Sequence, residues 1–329
     1  MHDVAYYTVA NAAHYPGAVA LLNSLRFIGE TAPLVVVDCG LTPQQRAALS
    51  EHCALVPPMA GTHPGLQKAT GPLAQPAEIM VVVDADVIVN RSLQPLFEYA
   101  RDGRIVTFRE RIENRFFAEW AALGIGEPTR RPYVTAGHFV LSGETGAEFL
   151  PLFSSLQGAC DVSSGVYTSG NRTDPEADPY FYADQDVFNA VLCARFDGRV
   201  VRLEQSLWSY PPFDGLTRTG REGLGCAYGD GTAPYVLHHF WKKPWLSPVA
   251  PNLYSELFTE LVTDAAAPIR LGRGDIPLRL QDSGLAPLDR WRASVQRSAR
   301  ARLRGKLGLR PVLEREVRRA SARLRTGAS

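Results

Sequence analysis

Short apolar runs and helical periodicities alternate along the first third of the chain. The runs over 4–9, 34–37 and 79–83 are rich in β-forming residues and too short for buried helices, so each predicts a strand. Between 18 and 27 the apolar positions recur with helical spacing, which predicts a helix there. Strands without polar alternation are buried on both faces, which indicates a parallel sheet covered by helices.

Local signals place further elements along the chain. Thr42 is a favoured N-cap and Pro43 suits the first turn of a helix, so a helix is predicted over 44–53. After residue 103 the pattern is less regular, and it predicts strands over 105–108, 133–141 and 235–239, a helix over 185–193 and a surface loop over 158–180.

The C-terminal region has a different composition from the rest of the chain. Apolar positions recur with helical spacing over 288–303 and again over 313–324, with arginines on the other faces. Residues 290–329 carry 13 Arg or Lys and two Glu, whereas the remainder carries 22 basic and 32 acidic residues. Basic amphipathic helices lie on anionic membrane surfaces, so 288–325 is expected to form either such a surface anchor or a solvated or partner-binding tail.

The rest of the composition narrows the class of protein. Hydrophobic residues make up 45% of the chain, which supports a packed core, and the acidic body argues against a nucleic-acid partner. The chain starts with Met1-His2-Asp3 and runs directly into a strand, so no secretory signal is expected. The five cysteines are scattered and form no CxxC pair, which is typical of reduced thiols and a cytoplasmic protein.

Candidate chemistry begins at Asp84 and Asp86, directly after the apolar run over 79–83. Side chains alternate along a strand, so the two carboxylates point to the same side, at the carboxyl edge of the sheet where ligands of open α/β folds bind. Hard divalent cations prefer oxygen ligands and can bridge a diphosphate. By itself an Asp-x-Asp pair also fits a simple strand-end turn.

Five further segments accompany this pair in a fixed order. They read AYYTVAN at 5–11, VVVDCGLT at 35–42, YVTAGHFVL at 133–141, DQDVFN at 184–189 and HHFWKKPW at 238–245. Together with the Asp-x-Asp pair, the set resembles glycosyltransferase family 8, which includes glycogenin and bacterial lipooligosaccharide galactosyltransferases. The resemblance covers roughly residues 3–246. It implies a GT-A fold, an α/β architecture with a mixed sheet flanked by helices.

The resemblance and the change of composition near the C-terminus together predict a domain plan. The catalytic domain would span 1–265, with a nucleotide-binding half at 1–100 and a half at 101–265 that completes the acceptor and metal sites. Residues 266–329 would form the basic amphipathic extension.

Site residues follow from the same resemblance. The metal would be held by Asp84, Asp86 and a histidine; His238 and His239 both remain open, and the His-Phe match favours His239. An imidazole ligand suits Mn²⁺ better than Mg²⁺. Asp184 and Gln185 would be the catalytic pair beside the anomeric carbon. The residues expected to contact the nucleotide-sugar donor are Val9, Asn11, Tyr15, Lys68, Ala85, Asp84, Thr135, Gly137 and Lys243.

The implied reaction is transfer of a hexose-type sugar from a nucleotide diphosphate, UDP by resemblance, with retention of configuration. Asp184 or Gln185 would form a transient adduct or stabilise a cationic sugar while the acceptor attacks from the same face. The acceptor could be a glycan, a lipid-linked sugar or a small molecule. Two alternatives stay open, a phosphatase of the haloacid-dehalogenase type and a non-catalytic sugar-nucleotide-binding protein. The first has Asp-x-Asp near its N-terminus, with Thr or Val where this chain has Ile88.

Overall fold

The computed structural model describes residues 2–112, 114–160, 174–219, 223–240, 243–246, 252–272 and 275–276. The predicted basic helices of 288–324 and most of the predicted loop over 158–180 lie outside these ranges. Within them, no helix is long and apolar enough to cross a membrane.

Twelve strands and seven α-helices make up the described part of the chain. The strands are β1 (His2–Ala10), β2 (Leu34–Asp38), β3 (Ala54–Val56), β4 (Ala77–Val83), β5 (Val87–Val89), β6 (Ile105–Phe108), β7 (His138–Ser142), β8 (Val200–Leu203), β9 (Trp208–Ser209), β10 (Leu216–Arg218), β11 (Cys226–Tyr228) and β12 (Val236–His238). The helices are α1 (Tyr15–Phe27), α2 (Pro43–Ser50), α3 (Thr70–Ala74), α4 (Gln94–Arg101), α5 (Gly143–Leu156), α6 (Asp184–Arg195) and α7 (Leu253–Thr263).

The main sheet has seven strands in the order β3-β2-β1-β4-β7-β6-β8. The four strands from β3 to β4 run parallel, as the unalternating apolar runs predicted. Strand β7 is antiparallel to β4 and β6, so the sheet as a whole is mixed. Chain direction therefore changes between β4 and β7, and the carboxyl end of β4 meets the start of β7, with Val83 opposite His138.

A second sheet of three strands, in the order β5-β12-β9, extends the fold beyond the end of β4. Strand β12 is antiparallel to β5 and parallel to β9, with His238 opposite Val87. This pairing brings a segment that is about 150 residues downstream in the sequence next to the residues that follow β4. The pairing thereby determines which downstream residues lie close to Asp84 and Asp86.

The core lies on both faces of the main sheet. Alternate residues of β4 enter two separate apolar clusters: Ile79, Val81 and Val83 pack on one face, and Met80 and Val82 on the other. The first cluster includes α1 and α7, and the second includes α5 and α6. Burial on both faces explains why the strand carries no polar alternation.

Most predicted elements are present, with shifts at their ends. Helix α2 has the predicted Thr42 cap and a full capping box with Gln45, but it ends at Ser50 rather than residue 53. The predicted strand over 133–141 is regular only from His138. Before it, the Asn189 amide takes the place of a strand neighbour at Val134, where it accepts from the backbone N–H and donates to the carbonyl.

Candidate active site

The Asp-x-Asp pair occupies a turn between β4 and β5 that is fixed by neighbouring backbone. The Asp84 N–H donates to the Gly137 carbonyl at 2.8 Å. The Asp86 carbonyl accepts from the His239 N–H at 3.1 Å and from the Tyr254 hydroxyl at 2.9 Å. The side chain of Asp86 is buried and that of Asp84 is partly exposed. Three separate parts of the chain therefore hold the two carboxylates in place.

His238 is the imidazole beside the carboxylates. Its Nε2 lies 3.1 Å from Asp86 Oδ1 and 3.6 Å from Asp84 Oδ2. These three residues form a group whose ligand atoms all lie within 4.8 Å of one another, a set able to hold a metal ion. Both ring nitrogens of His238 are buried, and in the described part of the chain Nδ1 has no hydrogen-bond partner. A buried imidazole that faces two carboxylates fits a cation site.

His239, which the His-Phe match favoured, points to a different environment. Its ring packs against Phe213 and Tyr254, with centroids 5.8 and 5.1 Å away, and Asn252 Nδ2 lies 3.3 Å from its Nε2. Burial and the nearby Lys243 lower its pKa to about 4. Adjacent residues on a strand face opposite sides, so the pairing of β12 with β5 turns His238 to the carboxylates and His239 away. The geometry replaces His239 by His238 in the candidate ligand set.

Two lysines complete the charged cluster. Lys68 Nζ lies 3.0 Å from Asp84 Oδ1, 2.8 Å from Asp184 Oδ2 and 3.0 Å from the Ala136 carbonyl. Lys243 Nζ pairs with Asp86 and donates to the His239 carbonyl at 3.0 Å. Residues predicted from four distant segments thus meet at one place. The cluster contains cationic groups on both sides of the carboxylates.

Burial and neighbouring charges shift the pKa values of the two carboxylates in opposite directions. Burial raises the pKa of Asp84, and the negative charges of Asp86 and Asp184 raise it further. Lys68 and His238 lower the pKa, but their effect is smaller. At Asp86 burial acts in the same direction, but Lys243 and His238 outweigh it and hold the pKa well below its usual range. Carboxylates crowded in this way are stabilised by a divalent cation, and the O, O, N donor set suits Mn²⁺ or Mg²⁺.

The segment 133–137 and the start of α6 form the wall next to the cluster. Gln185 Oε1 accepts from the Ala136 N–H at 3.2 Å. Gly137 has no room for a side chain: a Cβ there would lie 2.5 Å from His238 Cε1 and 3.1 Å from Asp84 Oδ2. The glycine is needed at this position because the imidazole and a carboxylate approach its backbone closely.

A buried ion pair anchors the start of α6. Asp186 accepts from Arg115 Nε and Nη2, both at 2.6 Å, and from the Tyr133 hydroxyl at 2.7 Å. Just before the helix, Ala183 adopts φ +48°, a region that non-glycine residues rarely enter. The strained residue and the clamp on Asp186 together set the direction in which Asp184 leaves the backbone.

Several residues that were predicted to contact the nucleotide-sugar donor contact other parts of the protein instead. The ring of Tyr15, proposed as a platform for the base, is buried in the apolar core at the first turn of α1. Asn11 Oδ1 accepts from both the backbone N–H and the ring of His14. The Thr135 hydroxyl is buried and accepts from the Gly137 N–H at 3.0 Å.

The side chains of Tyr15, Asn11 and Thr135 therefore serve local structure here. Of the remaining predicted contacts, Val9 is half-buried near the end of β1, and the Ala85 carbonyl packs closely against Gly17 of α1.

Glu110 is a candidate site residue that the sequence motifs did not indicate. It follows β6 and is half-buried, and its carboxyl group lies beside the Gln185 side chain and within electrostatic reach of His238. Burial raises its pKa, against the effect of Arg111 and His238. The available signal was positional: like Asp84, Glu110 follows an apolar strand, and strand ends meet at one edge of a sheet.

Comparison with known proteins gives matches by structure only. No family model matches the sequence, and no curated protein matches it. Among solved structures, the chain is similar to the galactosyltransferase LgtC in complex with donor and acceptor sugar analogues, with 17% identity and a TM-score of 0.52 over 78% of this chain and 94% of LgtC. The bifunctional glycosyltransferase WbbM matches with 16% identity and a TM-score of 0.52, over 80% of this chain and 50% of WbbM.

A third similar structure is the glycosyltransferase GlyE of Streptococcus pneumoniae TIGR4, with 15% identity and a TM-score of 0.50 over 80% of this chain and 61% of GlyE. This chain therefore spans about half of WbbM and three fifths of GlyE. The matches and the mixed seven-stranded sheet show that the chain has the GT-A fold predicted from its motifs. At these identities the likeness concerns the fold, and function has to be argued from the site.

Proposed function

We propose that this protein is a metal-dependent glycosyltransferase that takes a hexose-type sugar from a nucleotide diphosphate, with UDP as the nucleotide, and transfers it with retention of configuration. The observation that carries the proposal is the convergence of Asp84, Asp86 and His238 within 4.8 Å at the carboxyl edge of a GT-A sheet. The haloacid-dehalogenase-like alternative needs a different fold from the one this chain adopts.

The chemistry assigned to the chain's own residues follows from charge. Asp84, Asp86 and His238 would hold Mn²⁺, or Mg²⁺, and that cation would neutralise charge on the departing diphosphate. Lys68 and Lys243 already sit beside these carboxylates, so they are placed to bind diphosphate oxygens as negative charge develops. Burial of Lys68 opposes its charge, but Asp184 and Asp84 outweigh burial and raise its pKa, so the ammonium form is present at neutral pH.

The overall bond changes are the same whether the reaction passes through a transient adduct or through same-face attack by the acceptor. In the overall reaction the bond between the anomeric carbon and the diphosphate oxygen breaks. The acceptor hydroxyl oxygen bonds to that carbon on the face the diphosphate leaves, and the hydroxyl proton departs with the diphosphate. Lys68 holds Asp184 next to Asp84, and the Ala136 N–H holds the Gln185 side chain. Asp184 and Gln185 would orient and stabilise the sugar as positive charge develops on it.

Calorimetry of UDP binding tests the site directly. Wild-type protein is expected to bind UDP tightly only with Mn²⁺, and Asp84→Ala is expected to abolish the metal-dependent part. Asp102→Ala, which removes an exposed carboxylate after α4, is the matched control and should behave as wild type. Equal UDP binding with and without Mn²⁺ in the wild type would contradict the proposed site.

Turnover separates an enzyme from a binding protein. The wild type is expected to release UDP from at least one of UDP-glucose, UDP-galactose and UDP-N-acetylglucosamine when Mn²⁺ is present, even with water as the acceptor. Binding without any release of UDP from the three donors would favour the non-catalytic alternative.

A further inference from the structure

An aromatic surface leads from the carboxylate cluster to the exterior of the protein. The Phe240 ring lies 5.7 Å from the His238 ring and 5.5 Å from the Tyr210 ring, measured between centroids. Tyr210 in turn packs on the buried Trp208 at 4.4 Å. Tyr210 is buried, but Phe240 is 41% exposed. A large apolar ring is therefore open to solvent two residues after the candidate metal ligand.

Polar groups of opposite charge border this surface. The Arg111 guanidinium lies over the Tyr210 ring, 4.2 Å from its centroid. The Glu110 carboxylate accepts from the Arg111 N–H at 3.1 Å and lies beside the Gln185 side chain, so it borders the aromatic surface on the side of the cluster. The two charges offset each other. The surface thus offers an apolar face, a hydrogen-bond donor and a hydrogen-bond acceptor without a net charge.

We propose that Phe240, Glu110 and Arg111 form the acceptor subsite, and that the acceptor presents a neutral sugar ring to it. A pyranose has an apolar C–H face that packs on an aromatic ring and a rim of hydroxyls that need donors and acceptors. The Phe240 ring matches the first, and the Glu110 carboxylate and Arg111 guanidinium match the second. This inference rests on the proposed function, because it names the acceptor class for the same site.

The position of the subsite agrees with the transfer it has to serve. Glu110 lies beside Gln185, and the Phe240 ring lies 5.7 Å from the His238 ring, so a sugar ring on Phe240 would lie next to the cluster. Because Arg111 and Glu110 together carry no net charge, they provide no excess charge that would favour an ionic acceptor. A neutral ring is the chemistry that both parts of the surface accommodate.

The test measures transfer and hydrolysis together. The probes are the methyl β-glycosides of glucose, galactose, mannose and N-acetylglucosamine, each with the best UDP-sugar donor and Mn²⁺. For the probe that accepts most sugar, Phe240→Ala is expected to lower the ratio of transfer to hydrolysis roughly tenfold, because an aromatic contact is lost. Phe240→Trp should retain most of the wild-type ratio. Phe27→Ala is the matched control, since Phe27 is 52% exposed at the end of α1, and it should leave the ratio unchanged.

Octyl glycosides of the same sugar distinguish a ring contact from a lipid contact. If Phe240 contacts the ring, Phe240→Ala weakens transfer to methyl and octyl acceptors by the same factor. Loss confined to the octyl acceptor would overturn the sugar-ring subsite. Glu110→Gln is an independent test, because it keeps the shape of the side chain and removes the negative charge that would accept hydrogen bonds from the sugar hydroxyls. It is expected to raise the acceptor KM several-fold while UDP affinity measured by calorimetry is retained; loss of UDP affinity would reassign Glu110 to the donor side.

The two proposals fail in different ways. If Phe240→Ala still hydrolyses a UDP-sugar and keeps the wild-type ratio of transfer to hydrolysis, the subsite is overturned and the proposed function is left intact. If wild-type protein hydrolyses no donor, or transfers to none of the four methyl glycosides, saturation-transfer NMR with UDP and Mg²⁺ still decides the subsite. Binding of a methyl glycoside that is lost in Phe240→Ala supports it, and no binding of any of the four overturns it.

Discussion

Removing Asp186 should destabilise the protein far more than removing a matched surface carboxylate. Asp186 is buried and accepts two hydrogen bonds from Arg115, whose side chain is only 7% exposed. Without Asp186, the Arg115 guanidinium would remain buried without its anionic partner, a defect that costs about 3–5 kcal/mol in comparable proteins. The Tyr133 hydroxyl and the Tyr182 N–H would lose their acceptor as well.

The assay is thermal unfolding of Asp186→Ala beside Glu260→Ala. Glu260 also accepts two hydrogen bonds from one arginine, Arg218, but the side chains of Glu260 and Arg218 are 43% and 42% exposed, respectively. An exposed pair contributes only about 0.2–1 kcal/mol, because water screens it. At about 2–4 °C per kcal/mol for a domain of this size, Asp186→Ala should lower Tm by roughly 6–20 °C and Glu260→Ala by less than about 4 °C.

The comparison isolates burial, since both variants delete a carboxylate from a bidentate arginine pair. Equal changes in Tm would refute the reasoning, because they would mean that the buried guanidinium finds water or another partner. A large loss of stability in Glu260→Ala would refute it too. The expected difference would identify the Arg115–Asp186 pair as the anchor of the helix that carries Asp184 and Gln185.

Three further predictions concern the cluster and its support. Gly137→Ala should weaken Mn²⁺-dependent UDP binding at least roughly tenfold by calorimetry, because the new Cβ would crowd His238 and Asp84; unchanged affinity would show that the imidazole can move aside. His238→Ala should remove most metal-dependent binding, whereas His239→Ala should mainly lower Tm, and the reverse result would return His239 to the metal site. Asn189→Ala should lower the free energy of unfolding in urea by about 2–4 kcal/mol, since buried backbone groups lose their partners; a loss under about 1 kcal/mol would contradict the role given to its amide.

Local patterns were sufficient for the elements that carry the site. The apolar run that became β4, the capped start of α2 and the helix that became α6 were all predicted near their observed bounds. The position of Asp84 and Asp86 at a strand end followed from the length of that run. These features depend on residues within a few positions of one another, which the sequence displays directly.

Contacts between distant segments could not be predicted in the same way. Tyr15 was expected to meet a ligand, but the packing of α1 buries its ring in the core. Asp186 and Arg115 are 71 positions apart, and no local pattern marks them as a pair. Glu110 reaches Gln185 only because the end of β6 and the start of α6 lie close together in the fold.

The choice between His238 and His239 shows where the division lies. From the sequence came the carboxylate pair, the lysines and a histidine pair far downstream, and with them the expectation of a GT-A fold. Which imidazole faces the carboxylates depends on the register of β12 against β5, and a shift of one residue would exchange the two rings. Register is set by how whole strands pack across the molecule, so only the tertiary structure decided it.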